Sequence, residues 1–197
     1  MPIYHNNCYD EVYVLNEGKT TTGKPRYYFS KKTNGQLPET IPEGYEIYER
    51  PGGMVYLRKI KISPIFEEEL KYVQGKISFL CDQESEKSLS DLRKVFEANI
   101  PSLIYPKSQA ILSHLQTRFE AEIRDNEIVI YRVQHSNAQP IMKFELIDKD
   151  VREFSAYRWC FRGSIDDWVT IGFSGKLKKL VDQYCQALGT DDFYELY

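Results

Sequence analysis

No stretch of this chain carries eighteen consecutive apolar residues, the length a helix needs to cross a bilayer, so no membrane-spanning helix is expected. The opening Met1-Pro2-Ile3-Tyr4-His5-Asn6-Asn7 has neither a basic segment nor an apolar run behind it, and reads as lacking a secretion leader. Cysteine is sparse and scattered. Cys8, Cys81, Cys160 and Cys185 form no C-x-x-C pair, and they read as reduced thiols of a cytoplasmic protein. The three histidines share no metal-ligand spacing: His5-x-x-Cys8 is half of a site whose other half is missing. Internal repeats and low-complexity segments are absent too. No cofactor and no bound metal are expected on these grounds.

Strong charge of one sign is also missing. A net charge of −3 argues against holding nucleic acid by bulk electrostatics, which needs many lysine and arginine contacts to phosphate. The charge is nevertheless uneven. Residues 18–61 hold nine Lys/Arg against four Glu, a local excess of five positive charges, which leaves −8 for the remainder. A basic island thus sits on an acidic body.

What is present in quantity is apolar and aromatic. Hydrophobic residues make up 42% of the 197 positions, ample for a core in one domain or in one domain with a small appendage. Aromatic residues reach 14%, with fifteen Tyr and ten Phe, and such side chains favour strands.

Local patterning gives the order of elements. Val12–Leu15 and Arg26–Ser30 read as short strands around a polar loop, with Asn34-Gly35 as a turn signal behind them. Tyr45–Glu49 and Met54–Arg58 alternate with period two across Arg50-Pro51-Gly52-Gly53, the clearest hairpin in the chain. Ser63-Pro64 reads as a helix start, with Glu67, Glu68 and Glu69 in its first turn and an end near Gln74. Further helices are expected from Ser88 to before Pro101 and from Lys107 to Arg118. Strands return at Phe119–Ile123, Glu127–Val133, Ile141–Ile147, Phe154–Phe161 and Trp168–Ile171. Ser174 then reads as the cap of a final amphipathic helix with Leu177, Leu180, Val181, Tyr184, Cys185 and Leu188 on one stripe, ended by Gly189.

Several constellations invite a chemical reading. Gly18-Lys19-Thr20-Thr21-Thr22-Gly23-Lys24 matches a phosphate-cradling loop for seven positions, but Pro25 stands where a hydroxyl must ligate magnesium and a strand follows, so it reads as a hairpin loop. The stretch Pro42–Tyr56 is similar to the opening hairpin of WW peptide-binding domains over about fifteen residues. Tyr45 replaces that family's first tryptophan, and the third strand that completes its groove is missing; the similarity implies a hairpin and carries no function. Arg26, Tyr28, Lys31 and Lys32, with Arg58 on a later strand, interleave cations and rings that can meet a peptide or a nucleic acid strand. Arg158–Trp168 gathers two tryptophans, two arginines and two aspartates around a glycine turn, where Arg158 or Arg162 can grip an anion beside Asp166 and Asp167.

Other signals favour packing or turn roles. Cys160 sits among bulky aromatics and reads as a small core residue, with His114 and His135 as the bases a nucleophile would require. Asp148 and Asp150 straddle an expected turn and read as turn residues before metal ligands. The acidic, aromatic tail Asp191–Tyr197 reads as docking on the chain's own basic unit.

The expectation is therefore an α+β protein. Residues 1–62 form a small β-rich basic unit, and residues 63–197 a body whose antiparallel sheet is covered by the C-terminal helix and two or three middle helices. The leading function is a non-enzymatic binding or adaptor protein that contacts a peptide or nucleic acid through Arg26, Tyr28, Lys31, Lys32 and Arg58. The alternatives are a hydrolase-type enzyme around Arg158, Arg162, Asp166 and Asp167, and a structural subunit that oligomerises by its tail or a sheet edge.

Overall fold

The computed structural model describes residues 1–81, 118–134, 136–162 and 165–196. They form an α+β chain of two compact units, Met1–Ile62 and Ser63–Tyr197, in which every strand pairing is antiparallel.

In the first unit, β1 (Tyr4–Asn6), β2 (Val12–Lys19) and β3 (Pro25–Ser30) make a sheet in that order, and β4 (Tyr45–Arg50) pairs β5 (Met54–Lys59) as a separate ribbon. Alternation decides which side of each is inside. Tyr13, Leu15, Phe29 and Val55 are buried together, with Tyr27, Ile47 and Leu57 packed against them, so the ribbon's inner face closes on the sheet's inner face. Pro51, Gly52 and Gly53 form the β4–β5 turn and are buried, and the Asn7 amide donates to the Gly53 carbonyl at 2.7 Å. A Cβ at Gly53 would stand 2.7 Å from the Tyr9 ring, so only glycine fits there.

After β3 the chain crosses back over β2 to its far side, where Glu17 and Gln36 exchange backbone hydrogen bonds. Asn16, fully buried, fixes this crossing. Its amide donates to the carbonyls of Val14 (2.9 Å) and Lys32 (3.3 Å), and its oxygen accepts from the Asn34 N–H at 2.6 Å. β1 carries no strand pattern of its own; backbone pairing to Val12–Val14 creates it.

The second unit is a five-stranded meander, β6 (Arg118–Arg124), β7 (Glu127–Gln134), β8 (Asn137–Asp148), β9 (Glu153–Arg162) and β10 (Ile165–Gly175), each paired to the next. One face is the main core. It joins Ile128, Ile130, Met142, Phe144, Phe154, Ala156 and Ile171 to Val73 and Ile77 of helix α1 (67–81) and to Leu177, Leu180, Val181 and Tyr184 of α2 (Leu177–Tyr184). Val129, Tyr131 and Val133 are buried on the opposite face, with Ala138 and Trp168 packed against them.

The helices depart from expectation. The described residues hold two α-helices, and the cover of a sheet by the C-terminal helix with two or three middle helices is not borne out. The helices expected at 88–100 and 107–117 lie outside the described residues, while Arg118 opens β6. α2 is two turns long, packs on β9 and β10, and tightens after Tyr184 into the 3-10 turn Cys185–Ala187. Ser174 caps nothing: it lies within β10 and its hydroxyl donates to Glu153 at 2.5 Å, while Lys176 stands at the cap position. α1 begins at 67, with Glu69 reaching back to the Phe66 N–H at 2.9 Å, which is the return arm of a capping box; the Ser63 oxygen instead accepts the Ile65 N–H at 3.0 Å. The helix runs through Gly75 because Val73 and Ile77 on either side are both core residues, and their burial outweighs the roughly 1 kcal/mol that glycine costs a helix.

Candidate functional site

Period-two alternation puts Ile47, Leu57 and Val55 inward and sends Tyr48, Tyr56, Met54, Arg50 and Arg58 to the outer face of the β4–β5 ribbon. Tyr48 and Tyr56 stand directly opposite one another, the arrangement in which cross-strand rings pack. The Arg58 guanidinium lies 4.0 Å from the Tyr48 ring centre and donates to Glu46 at 2.7 Å. Tyr56 is 42% and Met54 43% exposed. The result is a platform of two rings and a cation, edged by Met54, whose sulfur lies 4.0 Å from the Tyr13 hydroxyl. Arg58 is thus partly matched by the chain's own acid, yet the stacking holds its planar group flat beside the rings.

The second basic–aromatic surface is on the other sheet. Tyr28 lies on the outer side of β3, opposite in direction to the core residues Tyr27 and Phe29. Gly18, across from Arg26, offers no side chain, and the Tyr28 ring comes within 3.5 Å of where a Cβ would be. The ring's hydroxyl donates to the Asn34 carbonyl at 3.3 Å, and the Arg26 guanidinium sits 5.7 Å from its centre. Lys32 is exposed on the crossing segment held by Asn16. Lys31, by contrast, pairs with Glu11 at 2.6 Å and lies 5.7 Å from the Tyr13 ring. The hydrogen bond and the opposite charge hold the Lys31 ammonium above, and the Glu11 carboxyl below, their usual ranges.

Of the residues singled out in the first unit, the structure brings together Arg26 and Tyr28, leaves Lys32 exposed on the segment after β3, and separates Arg58 from the Arg26–Tyr28 pair by the unit's core. Sequence alternation shows which residues of one strand share a side, but not which sheet that strand joins. Tyr48, Tyr56, Met54 and Arg50 were missed as site residues; the signal was their even spacing against Ile47, Val55 and Leu57. The loop Thr20–Lys24 is an exposed hairpin turn, with Thr20 bonded to Lys24 through both its N–H and its hydroxyl.

At the Arg158–Trp168 turn, backbone pairing sets Trp159 against Trp168, and the rings meet edge to face at 5.0 Å. Trp159 donates from its indole nitrogen to Asp166 at 3.0 Å, and Asp167 accepts from the Trp168 N–H at 2.7 Å. Arg158 is buried on the other side of β9, where its Nε donates to the Leu196 carbonyl at 2.7 Å. Arg162 ends β9, paired with Ile165. Arg158 and Asp166 therefore do not converge. The acidic tail packs on its own unit: Phe193 is buried in the core cluster and Leu196 rests against it.

Two further polar groups line the sheet face that carries Trp168. Lys143 bonds Glu127 at 2.6 Å and lies between the Tyr157 and Trp168 rings at 4.9 and 5.3 Å. Burial pushes its ammonium down, and Glu127 and Glu145 more than offset this, leaving it raised. Glu122, nearly buried, accepts from the Tyr131 hydroxyl at 2.8 Å and from Arg124 at 2.6 Å. Asp148 accepts the N–H groups of Asp150 and Val151, a turn role. Among the described residues no group of three or more His, Cys, Asp or Glu side chains could hold a metal, and no helix is long and apolar enough to cross a membrane. Cys160 is buried, and the bases His114 and His135 lie outside the described residues.

No protein family, no curated protein and no solved structure matches this chain.

Proposed function

We propose that this chain is a non-enzymatic binding module whose partner, an extended peptide carrying acidic residues, docks on the outer face of the β4–β5 ribbon. One observation carries the reading: Tyr48 and Tyr56 stand opposite one another on the ribbon's outer face, with Arg58 over the Tyr48 ring and both Tyr56 and Met54 exposed. Tyr, Met and Arg are the residues enriched where protein surfaces meet, because rigid rings and a pre-oriented guanidinium lose little entropy on contact. Arg50 and Arg58 give that face its affinity for carboxylates. The division at Ile62 supports treating residues 1–62 as the small binding unit and residues 63–197 as its α+β body. Four free thiols support a reducing, cytoplasmic setting.

The test is selection of a random displayed peptide library on the full chain, repeated with Tyr56→Ala and Arg58→Glu. Acidic clones that are enriched by the parent and lost by both variants support the reading. Identical clone sets from all three proteins refute it.

A second reading, a single nucleic acid strand, is favoured by the Arg26–Tyr28 stack and the exposed Lys19, Lys24 and Lys32 near it. It predicts oligonucleotide binding that falls steeply with salt and is lost in the double variant Arg26→Glu, Lys32→Glu, while Arg58→Glu leaves it intact. The hydrolase alternative is the least supported, since Arg158 and Asp166 project from opposite sides of their sheet.

A further inference from the structure

Arg132 stands on β7 directly across from Phe119 of β6, on the side that carries the main core. Among the described residues its side chain has no hydrogen-bond or ion-pair partner. It lines a cleft of about 180 Å³ with Phe119, Ile141, Phe193, Tyr194 and Asp191. The fold builds these walls on purpose-made irregularities. A β-bulge opposite Ile130 and Tyr131 turns Ile141 to the core side together with Met142, and the 3-10 turn Asp191–Glu195 buries Phe193. Phe193 in turn holds the Tyr194 ring edge-on at 5.5 Å, leaving Tyr194 55% exposed at the mouth.

Asp191 lines the same cleft and forms no ion pair with Arg132. Among the described residues neither side chain has an ion-pair partner, and a guanidinium and a carboxylate that share a cleft with apolar walls complement a molecule that carries both charges and an apolar body. A simple anion would meet Asp191, and a simple amine would meet Arg132; each is disfavoured by the other wall. We propose that this cleft binds a free α-amino acid with an apolar side chain. Its carboxylate lies on the Arg132 fork, its ammonium at Asp191, and its side chain against Phe119, Ile141 and Tyr194. This inference is independent of the peptide-binding reading, since it concerns the other unit.

Calorimetric titration of the full chain with L-leucine, L-methionine and L-phenylalanine tests it. Binding of at least one, in the millimolar range or tighter, is expected, with leucinamide and the deaminated acid of leucine each weaker by about tenfold or more. Arg132→Gln and Asp191→Asn remove exposed side chains and retain the fold, checked by circular dichroism. Each weakens binding by about tenfold or more, while Arg132→Lys, which keeps the charge without the fork, falls between Arg132→Gln and the parent. No saturable binding of any of the three, or binding unchanged in Arg132→Gln, overturns the proposal.

Discussion

Arg152 and Glu69, 83 residues apart, close a fork-like pair: Nε donates to one carboxylate oxygen at 3.1 Å and an Nη to the other, while Nη1 also reaches the Pro64 carbonyl at 2.9 Å. The same guanidinium lies 4.2 Å from the Phe66 ring. The start of α1 is thereby tied to the β8–β9 turn, where Arg152 adopts a left-handed backbone with φ 51°. Arg152→Ala is expected to lower stability by about 2 kcal/mol in urea denaturation, since the pair is only one-fifth exposed and its loss strands Glu69. Arg152→Gly loses less, because glycine accepts that φ without strain.

Gly172 gives a steric test. A Cβ there would fall 1.7 Å from the Tyr184 hydroxyl oxygen and 2.9 Å from the ring carbon that bears it, at a φ of 63°. Gly172→Ala is expected to destabilise by about 3 kcal/mol or more. Adding Tyr184→Phe removes the nearest atom and recovers part of that loss. Equal melting temperatures for the single and double variants would show that α2 does not press on β10 as described.

Glu49 gives a pH dependence. Burial pushes its carboxyl up, but the Cys8 N–H at 2.8 Å and His5 at 3.1 Å outweigh that and hold it below the ordinary value of 4.5. A depressed folded-state value means the unfolded chain takes up the proton first as pH falls. The stabilisation is therefore complete above 4.5 and is lost as pH drops through the lower folded value. Glu49→Gln is expected to flatten the acid limb of the stability curve below pH 4.5, read by urea denaturation across the acid range.

The thiols separate cleanly. Burial pushes Cys185 up to about 12, so at neutral pH it is a protonated core group. Cys8 is exposed. A disulfide reagent is expected to label Cys8 rapidly in the native protein and Cys185 only on unfolding, read by mass spectrometry of the digested chain.

The sheets were largely legible because alternation and turn residues are local. β6 through β9 and the β4–β5 ribbon fall within a few residues of where their apolar periods put them, and Pro51-Gly52-Gly53 marks its own turn. The helix starts were less so. Ser63-Pro64 looks like a cap, yet Glu69 performs that task three positions after Phe66, and Arg152, remote in sequence, holds Glu69 in place. The site was legible in residue type and not in placement. Tyr28 and Arg58 belong to strands whose sheets meet through a core centred on Tyr13, Leu15, Phe29 and Val55, a contact that no local pattern records.

That back-to-back stacking also governs what the small unit can hold at one time. The Tyr48–Tyr56 plate and the Arg26–Tyr28 plate look away from each other through a single layer of core side chains. Two molecules, one on each plate, would be joined by the unit without ever touching. Under the binding reading proposed above, a ligand on one plate leaves the other plate's geometry as it was, which would make the unit a two-sided coupler.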